Sequence, residues 1–182
     1  LASSYLYRPH YSVDAINKIF DRSDIQEGLR VCDIGAGVGH LTIPLAERGL
    51  IVDAIEPNDD MRKVGMDRTN KFTNLKWHEA KAEDTSMPNE EYRLVTFGSS
   101  FNVCDQNKAL IETYRILEKG GWFACLWNHR DLTDTTQKTI EEIINANIDN
   151  YNYGNRRVDQ TETIMGTELF KDIYSFSSEI LH

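Results

Sequence analysis

Val31-Cys32-Asp33-Ile34-Gly35-Ala36-Gly37-Val38-Gly39-His40 is the stretch that decides the fold. The apolar run Leu29 to Ile34 predicts a short strand, and three glycines at every second position predict a tight turn. Leu41 to Arg48, with Leu41, Leu45 and Ala46 on one side, predicts a helix. Glycine suits such a turn because a side chain would hold the backbone away from a ligand, and because some of its positions require φ > 0. A second apolar run, Leu50 to Ile55, ends at Glu56, whose carboxylate can accept hydrogen bonds from both hydroxyls of a ribose. Together these segments read as a nucleoside-cofactor site.

Spacing separates the candidate cofactors. A dinucleotide site needs Gly-x-Gly-x-x-Gly, so that a helix N-terminus faces the pyrophosphate and the third glycine packs helix on strand. Here that position is His40, and Asp33 just before the glycines would repel a diphosphate. The same acid suits a cationic, amino-bearing ligand such as S-adenosylmethionine.

With 182 residues, 40% of them hydrophobic, the chain fits one domain with a substantial core. Its net charge of -9 and the lack of a basic patch argue against a nucleic-acid partner. No apolar stretch approaches the roughly 20 residues that span a bilayer, and no signal pattern opens the chain, so no membrane partner and a cytoplasmic location are expected. Cys32, Cys104 and Cys125 lack metal-ligand spacing, as do His78 and Glu79, so free thiols and no metal site are expected. The chain opens at Leu1 and closes at His182 inside an alternating stretch, Phe170 to Ile180; residues missing at both ends are the expectation.

Further along, Val13 to Phe20 predicts an amphipathic helix with Ser12 as N-cap, and Asn58 or Asp59 caps a helix carrying Met61 and Val64. Strands are expected at Leu75 to His78, Leu94 to Phe97 and Trp122 to Trp127, and helices at Ala109 to Leu117, stopped by Gly120-Gly121, and at Thr136 to Asn150. Tyr151 to Arg157 reads as a surface excursion or lid. Alternating strands and helices imply an α/β fold: a Rossmann-like, doubly wound, mostly parallel sheet with helices on both faces. Residues 1–28 would form an N-terminal arm and helix, 29–150 the core, and 151–182 the lid-like excursion and the alternating tail. Ligands bind such sheets beyond the carboxyl ends of the strands, where Asp33, Glu56, Ala82-Glu83-Asp84, Gly98-Ser99-Ser100 and Asn128-His129 fall.

On these motifs the chain resembles the class I S-adenosylmethionine-dependent methyltransferases. Asp33 through Gly39 resembles their glycine motif, Glu56-Pro57-Asn58 their ribose-binding acidic motif, and Ala82-Glu83-Asp84 their adenine-contacting loop. More narrowly, Tyr7-Arg8-Pro9-His10-Tyr11, Leu94 through Asp105, and Leu126 through Asp131 resemble small-molecule methyltransferases related to trans-aconitate methyltransferase. That branch usually carries Phe-His-Trp-Phe-Asp at the fourth strand; here Asn102, Val103 and Cys104 replace His, Trp and Phe, which points to a different substrate. The resemblance also implies a C-terminal antiparallel hairpin, of which Phe170 to Ile180 would be the first strand and the last is absent.

Methyl transfer from a sulfonium is an in-line displacement that requires alignment and exclusion of water rather than a covalent residue. The expected cofactor residues are Asp33, Gly35, Ala36, Gly37, Glu56, Pro57, Asn58, Ala82, Glu83, Asp84, Gly98 and Ser99. Asp33 would organise the ammonium directly or through water. Tyr7, Arg8, Tyr11 and Asn128 are the expected substrate contacts, with Arg8 suited to a carboxylate. Asn102 and His129 are the candidate catalytic groups, although Asn102 cannot titrate. The expected reaction moves a methyl group from S-adenosylmethionine to an oxygen or nitrogen of a small molecule, leaving S-adenosylhomocysteine. A carboxylate acceptor would need little base catalysis, being already ionised near neutral pH. Two other readings stay open: a nicotinamide-dependent oxidoreductase and a non-catalytic S-adenosylmethionine-binding module. Neither the acceptor nor the oligomeric state is fixed by the sequence.

Overall fold

A computed structural model describes residues 2–151 and 158–179. Its elements are α1 (Ala2–Tyr5), α2 (Val13–Ser23), β1 (Arg30–Ile34), α3 (Thr42–Glu47), β2 (Ile51–Ile55), α4 (Asp59–Thr69) and β3 (Leu75–His78). They continue as β4 (Tyr92–Gly98), a 3-10 turn (Phe101–Val103), α5 (Gln106–Ile116), β5 (Leu117–Leu126), α6 (Thr135–Asn147) and α7 (Thr161–Met165). The strands form one sheet in the order β3-β2-β1-β4-β5, parallel throughout. Strand order reverses between β1 and β4, and at such a reversal an open parallel sheet leaves a crevice beyond its carboxyl edge. The doubly wound sheet expected from the sequence is therefore present.

Continuous apolar runs make the central strands because both of their faces are covered. On one face Ile16, Leu41, Leu45 and Ala46 from α2 and the α3 region pack on Val31, Val52 and Leu94. On the other, Ala109, Leu110 and Ile116 of α5 pack on Cys32, Tyr92, Val95 and Phe97. Phe101 is buried there with its ring edge-on to Phe97, centroids 5.4 Å apart, a geometry worth about 0.5–1.5 kcal/mol beyond area burial. This contact pins the turn that follows β4, and so fixes Gly98 to Ser100 at the crevice.

Capping follows sequence. Ser12, Asn58, Asp105 and Asp134 each accept a hydrogen bond from the backbone N–H three residues on, at 3.3, 3.0, 3.2 and 2.8 Å.

Three expectations need correction or lie out of reach. Gly120-Gly121 does not stop α5, which ends at Ile116; the pair sits inside β5, where five steps along β5 match two along β4 between Tyr92↔Leu117 and Leu94↔Trp122. Gly120, at φ +77°, and Gly121, packed against the Tyr92 carbonyl, allow that bulge, so the glycines are spent on a strand irregularity. Residues 170–179 form no strand. Instead Phe170 packs on Phe123 from one face of the sheet, while Tyr174 stacks on Trp122 from the other and lies under Arg22, so the segment crosses the β5 edge. Alternating aromatics here serve two faces in turn, which mimics a strand pattern. The lid reading falls on residues 152–157 outside the described residues, and 180–182 are outside them too.

Candidate functional site

At the carboxyl edge the glycine turn folds over the end of β2. Gly35 N–H and Ala36 N–H both donate to the Ile55 carbonyl, at 2.9 and 3.0 Å, which draws the two strand tips together. Gly35 and Gly37 hold φ of +69° and +59°. A Cβ on Gly35 would overlap the Ser100 side chain, whose hydroxyl donates to the Ile34 carbonyl at 2.6 Å. The turn is thus glycine both for its backbone angles and for close approach of the β4 tip.

Glu56, 6% exposed, bridges the two strands: Oε2 accepts from Gly37 N–H and Oε1 from Asn58 N–H, both at 2.8 Å. One nucleoside can therefore touch the turn and the acid together. Pro57 and Asn58 are exposed beside it, with the Asn58 side-chain oxygen engaged as the α4 cap.

Asp33 is placed differently from its expected role. It has no exposed surface, and its carboxylate accepts from Thr42 Oγ1 at 2.6 Å and Thr96 Oγ1 at 2.9 Å. Direct contact with a ligand ammonium is closed to it in this conformation. Burial pushes its pKa up to about 6, against the pull of the two hydroxyls, and the Glu56 charge raises it further. Two adjoining carboxylates leave the crevice floor electronegative, as a cationic ligand requires.

The other expected contacts divide. Half-exposed Gly98 and Ser99 lie at the β4 tip, facing the glycine turn through Ser100. Ala82 packs on the α5-side core, but Glu83 Oε1 accepts from Asp105 N–H at the start of α5 at 2.8 Å and Asp84 Oδ1 from Ser86 N–H in its own loop at 3.3 Å, so both acids are engaged by the protein. Asn102 Oδ1 accepts from Trp127 Nε1 at 3.3 Å, and His129 is exposed just past β5. Tyr7 is 89% exposed, and the Arg8 guanidinium stacks on the Tyr5 ring, 3.8 Å from its centroid. Asn128 Nδ2 donates to the Pro9 and His10 carbonyls, whereas the Tyr11 hydroxyl donates to Ser99 Oγ at 3.0 Å.

Sequence reading missed several supports. Thr42 and Thr96 hold Asp33 from 9 and 63 residues away, and only the register Asp33↔Thr96 reveals the second. Met61 places its methyl group 3.7 Å from where a Gly37 Cβ would be, as an apolar wall beside the turn; its place on the exposed start of α4 could have suggested this.

A model described as a methyltransferase domain matches residues 32–125, more than half of the chain and all of this crevice's β-strands in part or whole. The chain belongs to the methyltransferase-domain family. An uncharacterized methyltransferase of Mycobacterium tuberculosis is 31% identical over 137 residues, covering 75% of this chain and 54% of the relative. The ubiquinone/menaquinone biosynthesis C-methyltransferase UbiE of Psychromonas ingrahamii is 33% identical over 109 residues, 56% of this chain and 43% of the relative. The chain thus spans about half the length of these methyltransferases. In fold it is similar to a putative S-adenosyl-L-methionine-dependent methyltransferase of Methanococcus maripaludis, with TM-score 0.67 and 20% identity over 85% of this chain and 72% of that one. It is also similar to phosphoethanolamine N-methyltransferase 2 of Haemonchus contortus in complex with S-adenosyl-L-methionine, with TM-score 0.63 and 19% identity over 91% and 39%.

Proposed function

We propose that this methyltransferase domain binds S-adenosylmethionine across the β1 and β2 tips and transfers its methyl group to an oxygen or nitrogen of a small-molecule acceptor. The observation that carries this reading is the Glu56 carboxylate 2.8 Å from Gly37 N–H, which sets the sugar-binding acid against the glycine turn. When bound, the cofactor supplies an electrophilic methyl on a sulfonium. Gly35, Ala36 and Gly37 would leave room for its methionine half, and Glu56 would offer the ribose hydroxyls the second lone pair of each oxygen beside the backbone N–H it already accepts. Met61 and Ala82 would give apolar cover for the base, and Asp33 would hold α3 to β4 behind the turn through Thr42 and Thr96. Asn102 and His129 stand toward the acceptor side, beyond β4 and β5.

The acceptor assignment is finer than the family and rests on Tyr7 through Tyr11 and Leu126 through Asp131, whose sequence is similar to the trans-aconitate methyltransferase branch. A carboxylate acceptor agrees with the want of a titratable group at Asn102, and a cytoplasmic site of action belongs to the same proposal. His40 argues against a nicotinamide cofactor, since its Nε2 is engaged by the Tyr5 carbonyl at 2.8 Å where a dinucleotide site would have glycine.

Calorimetric titration with S-adenosylhomocysteine and with NAD tests the cofactor. The expected result is binding of the first alone, weakened by about 1–3 kcal/mol in a folded Glu56→Ala variant through lost charge-assisted hydrogen bonds. Preference for NAD, or an unchanged affinity in the variant, overturns the assignment. Labelled S-adenosylmethionine with a metabolite pool tests transfer: label on a small acid, alcohol or amine is expected, whereas tight binding with no acceptor labelled identifies a binding module instead.

A further inference from the structure

Residues 5–11 run across the crevice mouth and are held there from three sides. On the glycine-turn side, His40 Nε2 bonds the Tyr5 carbonyl at 2.8 Å; a carbonyl only accepts, so this nitrogen carries the proton. On the β5 side, Asn128 Nδ2 donates to the Pro9 and His10 carbonyls at 3.0 and 3.2 Å. Between them the Tyr11 hydroxyl reaches Ser99, 88 residues away in sequence, at 3.0 Å.

The β4 tip is shaped to receive that phenol. A Cβ on Gly98 would stand 2.8 Å from the Tyr11 hydroxyl and 3.2 Å from its ring. Ser99 holds a left-handed φ of +56°, a conformation that non-glycine residues adopt at a cost, and is fixed by its N–H donating to the Leu126 carbonyl at 2.8 Å. Burial pushes the Tyr11 pKa up to about 12, so the group is a neutral hydroxyl and no base.

Polar bonds hold residues 5–10, while Tyr11 also packs against the apolar cluster of Ile16, Leu41 and Leu94. A cavity of about 300 Å3 lies beside their C-terminal end, lined by His10 and Tyr11 together with Val13 and Ile16 of α2 and the α3 region from His40 to Glu47. His40 Nδ1 is buried with no hydrogen-bond partner among the described residues, and the ring meets the His10 ring edge-on. Leu6 and Tyr7 face outward. Residues 6–10 are exposed, and an exposed segment held by a handful of hydrogen bonds is one that opens locally.

We propose that residues 5–11 are a strap that must lift to admit and release the cofactor, with Tyr11 as the positioning residue that seals the methyl-transfer end when the strap is down. The proposal rests on the cofactor reading above. Closure by the Tyr11–Ser99 pair would shut water out from the β4 tip, where the methionine half of the cofactor ends, and gating of this kind acts on entry and exit rates together.

Stopped-flow association and dissociation of S-adenosylhomocysteine, with amide hydrogen exchange of residues 5–11 in the free and bound chain, tests it. Expected are slower exchange of these amides on binding, and association and dissociation rates that both rise about three- to tenfold in Tyr11→Phe and Asn128→Ala, the range set by one lost hydrogen bond. Kd should move less than either rate. His40→Gln, which keeps a side-chain N–H, should stay nearer the wild-type rates than His40→Ala; this separates strap release from loss of folding. Unchanged rates in variants that fold and bind, or unchanged exchange, overturns the strap while leaving the cofactor reading standing. A wild-type chain that binds no S-adenosylhomocysteine overturns both.

Discussion

Asp33 shows how far one residue's role depends on what surrounds it. A carboxylate at the end of a strand before a glycine turn is an obvious ligand contact in sequence, yet Thr42 and Thr96 take both of its oxygens and bury it. Its pKa, raised by burial from 3.8 to about 6, has a consequence for stability. Between about pH 4 and 6 the folded chain retains a proton that the unfolded chain has released, so the contribution of Asp33 falls as pH rises through this window and its burial penalty is complete above it. Asp33→Asn removes that dependence. Denaturant unfolding of both proteins from pH 4 to 7 should show wild-type stability declining relative to the variant by on the order of 2–3 kcal/mol as pH rises; a constant difference would show that Asp33 does not titrate there. Glu56 ends its own strand in the same way, and only the fold shows that its oxygens meet Gly37 N–H and Asn58 N–H rather than buried hydroxyls.

At the level of elements, α4 and β3 are joined by a contact that no periodicity announces. Gly65 in mid-helix should cost about 1 kcal/mol relative to alanine. Its Cβ would overlap the Trp77 indole, whose Nε1 donates to Thr69 Oγ1 at 2.9 Å and whose ring also lies 3.6 Å from where a Gly39 Cβ would be. The same indole thus stacks helix, strand and glycine turn. Gly65→Ala is expected to destabilise by about 1–3 kcal/mol despite the better helix propensity, because an anchored ring cannot yield without strain. A gain in thermal stability would mean that Trp77 has room to move. Gly35→Ala should be worse for a different reason: it forces a side chain to φ +69° and against Ser100, so loss of fold or of S-adenosylhomocysteine binding in calorimetry is the expected result. The glycines of the turn were legible in sequence as a turn. Gly120-Gly121 were misread because a glycine pair after a helical run reads as a stop, and only the β4–β5 register reveals the bulge.

For the whole molecule, the question is how the sheet ends. Among the described residues β5 is an edge strand, and an open edge invites pairing with another chain. Residues 170–178 pass over it, with Phe170 on one face, Tyr174 between Trp122 and Arg22 on the other, and Ser178 bonded to Ser12 and Asp14 at 3.0 and 2.8 Å. Ser178 thus ties this segment to the start of α2, directly after the strap of residues 5–11. Tyr174→Ala should lower stability by about 1–2 kcal/mol and raise the tendency to self-associate, measured by thermal unfolding and light scattering. Unchanged stability would show that the covering is incidental.

Sequence alone determined the strand, glycine turn, helix and acid-terminated strand, the parallel sheet they build, and the kind of cofactor that fits, because periodicity, positive φ and strand-end placement are local constraints written over a few residues. Tertiary structure alone decided which carboxylate faces the crevice, that Tyr11 reaches Ser99, and that the tail crosses the sheet edge without joining it. Each of these depends on a partner tens of residues away, and no local pattern encodes which buried hydroxyl will reach a given oxygen first.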